Sequence, residues 1–307
     1  MKSFILLPLF MLCILYSSSA QEVAPPPAPP SLEEDQLVFK DTTYWIKSFS
    51  GGLNFNQGAF SSNWKAGGVN SVAFGGILAG TANYLNNRFS WDSEVELLYG
   101  IVRNQGEETR KNNDRIFLDT KVGYLLSKKW GTYASLNFLS QFAEGFDFSE
   151  PPFLLISDFM SPAFLTSSIG MEYKPNDEFA LRIGPLSPRL TFVTNRDLFL
   201  TVPGNYGVPI GETVRTEWLA LQIFASWNKD LAENLNLKMR YQMFSNYEKF
   251  NLKETDHRLD LTLTAKITNL INVTFTSLNL YDFDQDSNIQ FSQGLALGIL
   301  YKIGNKE

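Results

Sequence analysis

Past residue 44 the sequence alternates between apolar and polar side chains with a period of two. Leu235, Leu237, Met239, Tyr241 and Met243 fall on one face of an extended chain, and Asn236, Lys238, Arg240, Gln242 and Phe244 on the other. The next segment sets Leu259, Leu261, Leu263, Ala265 and Ile267 against Arg258, Asp260, Thr262, Thr264 and Lys266. Successive side chains of a β-strand point to opposite faces, so this is strand code with one apolar and one polar side. In a soluble sandwich the strands run shorter and the polar face meets water. Long strands repeated to the C-terminus predict an all-β fold: an antiparallel transmembrane β-barrel with lipid outside and a polar lumen.

The N-terminus fits an exported chain. Residues 1–20 read as a signal peptide, with Lys2 as the charged start, Phe4 to Tyr16 as the apolar stretch, and Ser18-Ser19-Ala20 as the cleavage site before Gln21. The apolar run is shorter than the roughly 20 residues that a membrane helix needs. The only cysteine, Cys13, lies inside it and lacks the small residue that precedes a lipoprotein cysteine. The mature chain then has no disulfide, thiol nucleophile or cysteine metal site. Residues 21–44 read as a periplasmic linker, stiffened by the polyproline stretch Pro25 to Pro30. Residues 45–307 form the barrel.

About twelve strands are expected, roughly at 45–58, 68–85, 88–103, 114–127, 130–143, 162–174, 178–194, 214–229, 234–247, 256–268, 270–282 and 289–303. Their connections alternate between short turns and long loops. Transmembrane barrels have short periplasmic turns and longer outer loops, so both termini should be periplasmic and the strand number even. Tyr84, Phe89, Trp91, Trp130, Tyr173, Phe179, Trp227 and Tyr301 cluster near the short turns, as an aromatic girdle at one membrane interface would. Gly184-Pro185-Leu186-Ser187-Pro188 should break the seventh strand, because proline cannot donate to the ladder. The last strand ends with Gly298, Tyr301 and Ile303 in the spacing that barrel-assembly machinery reads.

The net charge of −6 argues against a nucleic-acid partner, whose electrostatic footprint is basic. The expected partners are outer-membrane lipid, the barrel-assembly machinery during biogenesis, and an envelope protein that the sequence does not identify. No cofactor motif is present. The single histidine, His257, reads as a solvated loop residue. Its neighbour Asp256 would point to the opposite face of a strand, and Leu259 stands where an outer-membrane phospholipase would carry serine. Asp282, Asp284, Asp286 and Asn288 have the alternate spacing of calcium ligands, but the sixth-position glycine and distal glutamate of an EF-hand are missing. Acidic decoration of an outer loop is the plainer reading.

The lumen is the more informative candidate. Asp92, Glu94 and Glu96 share a face on the third strand, and Lys238 and Arg240 share the polar face of the ninth. In a ring of about twelve these strands lie opposite each other. Arg182 and Lys266 are expected on the basic side at similar height, with Asp119 and Lys121 near the acidic side. Acid facing base across open water would give a porin-like transverse field. Acid touching base would give a salt-bridged, closed lumen.

Several patches resemble an uncharacterised outer-membrane family of the Bacteroidota, catalogued as a domain of unknown function. They are Asn63-Trp64-x-x-Gly67-Gly68-x-Asn70-Ser71, Asp114-Arg115, Phe142 to Gly145, Ser161-Pro162-Ala163, Tyr173-Lys174-Pro175-Asn176-Asp177 and Phe244-Ser245-Asn246-Tyr247. The resemblance implies outer-membrane location and supplies no activity. The sequence as a whole points to a non-enzymatic barrel, either a narrow channel or a structural component of an envelope assembly. The alternatives are a membrane-embedded hydrolase of phospholipase or protease type and a secreted soluble β-sandwich.

Overall fold

A computed structural model describes residues 39–40, 44–61, 63, 65, 68–249, 251–268 and 271–301. The signal-peptide reading and most of the linker lie outside them. Twelve strands form the barrel: β1 Trp45–Gly58, β2 Ser71–Asn86, β3 Phe89–Asn104, β4 Arg110–Leu125, β5 Trp130–Ser140, β6 Ala163–Tyr173, β7 in two pieces (Phe179–Leu186 and Arg189–Phe192), β8 in two pieces (Val214–Glu217 and Ala220–Ala232), β9 Leu235–Asn246, β10 Asp256–Lys266, β11 Ile271–Asp282 and β12 Asp286–Tyr301. Each pairs antiparallel with the next, and β12 meets β1 to close the ring. No helix among the described residues is long and apolar enough to cross a membrane, which says nothing of crossing by strands.

The alternation decides which way each strand faces. Leu53, Phe55, Phe74, Leu78, Trp91, Leu118, Val122, Leu136, Ile169, Leu295 and Leu297 lie exposed on the outside. Their neighbours in sequence, such as Asn54, Ala73, Lys121, Ser168 and Ala296, are buried inside, as are Tyr133, Thr166 and Arg240. An apolar exterior around a polar interior is the inversion of a soluble core that a lipid-facing barrel requires. At the short-turn end Trp45 packs against Tyr84 at 5.1 Å and Trp91 at 5.8 Å between ring centroids, and Trp130 packs on Tyr173 at 4.8 Å.

Two loops are shorter than the sequence pattern suggests. β3 runs to Asn104 and β4 starts at Arg110, and β12 starts at Asp286, leaving Phe283 to Gln285 as the turn. Arg110 to Asp114 are all polar, so no alternation marks them. Backbone pairing alone extends the hairpin there, and Asn112 is bulged out of the register opposite Gly100 and Ile101. Conversely, the proline-rich stretch of β7 does interrupt its ladder. The register shifts between Ile183 and Leu186, and the pairing resumes with Arg189 opposite Thr166. Ser187 is fully buried in the break, bonded to Ser168 Oγ at 2.7 Å and to the Gly184 carbonyl at 2.9 Å. Gly170 meets this break so closely that a Cβ there would lie 1.9 Å from the Ile183 carbonyl oxygen.

The two longest loops pack on each other. The loop after β5 carries a small hairpin, Gly145–Asp147 with Leu154–Ser157, and the loop after β7 carries a short helix, Leu198–Thr201. Val193, Leu198 and Val208 are buried there against Leu155 and Tyr206. Burial pushes the Tyr206 phenol up to about 12, helped by Asp282, so it stays protonated and donates to the Ile156 carbonyl.

Candidate functional site: an ion-paired lumen under a vestibule

Inward positions on β3, β4, β6, β7, β9 and β10 bring charged side chains to the barrel axis. Nearest the short turns, Lys121 Nζ donates to both Glu172 carboxylate oxygens at 2.6 and 2.8 Å and lies 3.1 Å from Asp92. Beside it Arg182 Nη2 donates to Asp119 at 3.1 Å, with its guanidinium 4.3 Å from the Phe224 ring centroid. One step up, Arg240 of β9 crosses the ring and donates to Glu94 of β3, while Lys238 stands 3.6 Å from the same carboxylate. Above that, Arg115 lies 3.1 Å from Glu96 and 3.9 Å from Asp260, which Arg258 grips through Nε and Nη2 at 2.8 and 2.9 Å. Arg115 and Arg240 also approach the buried Phe117 ring, at 4.9 and 5.0 Å from its centroid.

The acids of β3 therefore touch the bases of β9. A transverse field needs opposite charges held apart on facing walls. At contact distance they neutralise each other. The open-water version of the lumen is corrected on this point: the layer of Glu94, Glu96, Arg240 and Lys238 is a contact layer. Lys266 lies lower than expected. It sits at the last position of β10, opposite Asn272, below the level of Lys238 and Thr262.

A cavity of about 1690 Å³ stands on this layer and reaches toward the long-loop end. Glu94, Lys238 and Arg240 form its floor, while Asn104, Gln141 and Phe148 belong to its upper rim. Asp92, Lys121 and Glu172 do not line it, because they lie beneath the floor. Near the rim Arg189 bonds Asp256 at 2.6 Å and stacks on Phe244, 3.3 Å from its centroid.

Period-two reasoning could have found more of this site. Arg115 lies on the same face of β4 as Asp119 and Lys121, and Arg258 and Asp260 were already on the polar face of β10. Glu172 and Arg189 carried less signal, because Glu172 sits near the end of β6 beside the irregular β7 and Arg189 follows the break inside it. His257 is a strand residue, correcting the loop reading. It faces outward, with Nδ1 2.8 Å from Tyr241 Oη, while Asp256 faces the lumen. The acidic turn uses its oxygens locally. Asp282 accepts from the Asp284 amide at 3.0 Å and from Gln285 at 2.6 Å, Arg215 binds Asp284 at 2.5 Å, and Asp286 accepts from the Asn288 amide at 2.7 Å. No metal-ligating group of side chains is formed among the described residues. In the Asn63-Trp64-x-x-Gly67-Gly68 patch, Trp64 and Gly67 lie outside the described residues. Ser61 donates to Asn63 at 2.6 Å, and Gly68 adopts φ +144°, with the Phe60 ring 2.7 Å from where a Cβ would stand.

No curated protein matches the sequence. Among solved structures, an outer membrane channel from Pseudomonas putida F1 is 9% identical with a TM-score of 0.37, over 88% of this chain and 100% of that one. The NanC porin is 9% identical with a TM-score of 0.39, over 83% and 99%. The translocator domain of the autotransporter NalP from Neisseria meningitidis is 10% identical with a TM-score of 0.34, over 86% and 90%. Residues 55–146, from the upper part of β1 into the loop after β5, match a family described as Protein of unknown function (DUF3078).

Proposed function

We propose that the protein is an outer-membrane β-barrel without enzymatic activity, closed at its short-turn half by ion pairs and open as a polar vestibule toward the long-loop end. On this reading the short turns and both termini are periplasmic and the long loops face outward. The observation that carries it is the contact of Arg240 and Lys238 with Glu94 across the ring. Unpaired charge in a confined lumen is costly, and pairing across the lumen removes that cost while blocking the path of ions. The role that fits is a structural component of an envelope assembly, with the vestibule as its outward-facing surface.

A narrow channel is the second reading, and the cavity of about 1690 Å³ favours it. Planar-bilayer recordings of the purified protein separate the two. The closed reading expects no resting conductance. Steady conductance with measurable ion selectivity would overturn it and establish the channel.

A further inference from the structure

The seam that closes the barrel is incomplete. Among the described residues, which end at Tyr301, β12 pairs with β1 at four positions, Gly298 with Asn54 through Tyr301 with Gly51. The next seam, β1 with β2, is paired along the whole of β1, from Trp45 with Tyr84 to Gly58 with Ser71. Above Asn54 the same register would place Asn56 opposite Ala296 and Gly58 opposite Gly294, yet no strand pairing joins these described residues. Higher still, β12 continues to Asp286, beyond the end of β1 at Gly58. Its upper part is exposed on both faces, including Ile289 and Phe291 at 70% and 72%.

A strand edge carries a row of unpaired N–H and C=O groups. Natural edges are protected by lysine, proline or a bulge. The stretch from Asp286 to Leu297 contains no lysine, arginine or proline, and its register shift lies between Asp286 and Gln290, which leaves Gln290 to Leu297 regular. The lower part of the same β1 edge is already covered by strand addition, with Phe39 opposite Lys47 and Lys40 opposite Ile46. The vestibule reaches the gap, since Asn56 and Gly58 on one side and Ser292 and Gly294 on the other all line it.

Chemistry distinguishes three occupants. A lipid tail would leave the backbone groups unsatisfied in an apolar medium, which is expensive. A second copy in the same membrane would present either its own β12, which runs in the same direction whereas every pairing in this sheet is antiparallel, or the free end of its own β1, which above Asn54 reaches only to Gly58 and is too short for Gln290 to Leu297. An extended polypeptide running opposite to β12 satisfies the edge and continues the pattern. We propose that the upper β1–β12 seam is a strand-addition site for such a segment, pairing with Gln290 to Leu297. The segment would be free of proline, with apolar residues outward beside Phe291, Leu295 and Leu297 and small or polar residues inward beside Ser292, Gly294 and Ala296.

The probe is a synthetic peptide copying Ile271–Asp282, the strand that β12 already accepts on its other edge. Hydrogen exchange on the full-length mature protein in lipid bilayers should show the alternate amides of Gln290 to Leu297 that point away from β11 exchanging at least tenfold faster than those of β11. Addition of the peptide should slow them, and the same peptide N-methylated along both edges should not. Slow exchange without peptide would overturn the proposal, because lipid or β1 would already cover the edge. Quantitative disulfide formation in an Asn56→Cys, Ala296→Cys variant without peptide would also overturn it. Failure of the peptide to protect the edge would do the same. Conductance measured on the same preparation reports separately on the closed-lumen reading.

Discussion

Replacing Asp92, Glu94 and Glu96 with their amides tests the closed lumen one residue at a time. Glu94 is the acceptor shared by Arg240 and Lys238, and without it the ion pair left to Arg240 among the described residues is Glu96 at 3.8 Å. Breaking a buried pair costs about 3–5 kcal/mol. Glu94 retains a quarter of its side-chain exposure, so Glu94→Gln should fall at the lower end of that range, about 3 kcal/mol. Glu96→Gln removes the nearer partner of Arg115 and leaves Asp260 at 3.9 Å, which should cost about 2 kcal/mol. Asp92→Asn should cost under about 1 kcal/mol, because Asp92 is 41% exposed and Lys121 keeps Glu172 at 2.6 Å. Urea unfolding in lipid vesicles, followed by tryptophan fluorescence and by the mobility of unboiled protein on gels, measures each value. The expected order is Glu94, then Glu96, then Asp92. The reasoning fails if the three changes are equal and small, and if ion selectivity shifts toward anions instead. That result would mean solvated charges facing each other across open water.

Further outcomes check other parts of the structure. Leu261→Arg should destabilise the barrel by about 2–4 kcal/mol, whereas Thr262→Arg on the lumen face should cost much less; equal effects in vesicle unfolding would put the register in error. Gly170→Ala should prevent the heat-modifiable folded form on gels, because a Cβ would stand 1.9 Å from the Ile183 carbonyl oxygen and backbone must move. Tyr206→Phe should remove the hydrogen bond to Ile156 at about 1 kcal/mol and speed protease cleavage of the two packed loops, with the barrel's unfolding unchanged.

The architecture was legible in the sequence because a lipid-facing barrel writes its geometry at a period of two. Leu259, Leu261 and Leu263 against Arg258, Asp260 and Thr262 define a strand, its outward face and its lumen face without any tertiary information. Strand order across the short turns needed nothing further, since such turns force neighbours to pair. The prolines of β7 marked its break for the same local reason. What the alternation could not carry was extent and distance. Arg110 to Asp114 pair as strand with no apolar signal, so the β3–β4 hairpin outgrew its pattern. Asp92 to Glu96 could be placed opposite Lys238 and Arg240 from the sequence. Whether they touched depended on the barrel's width, its shear and the reach of Arg240, which only the closed ring determines. The height of Lys266 below Lys238 has the same origin. It follows from how successive strands shift along the ring, a quantity that accumulates over twelve pairings and appears in no single segment.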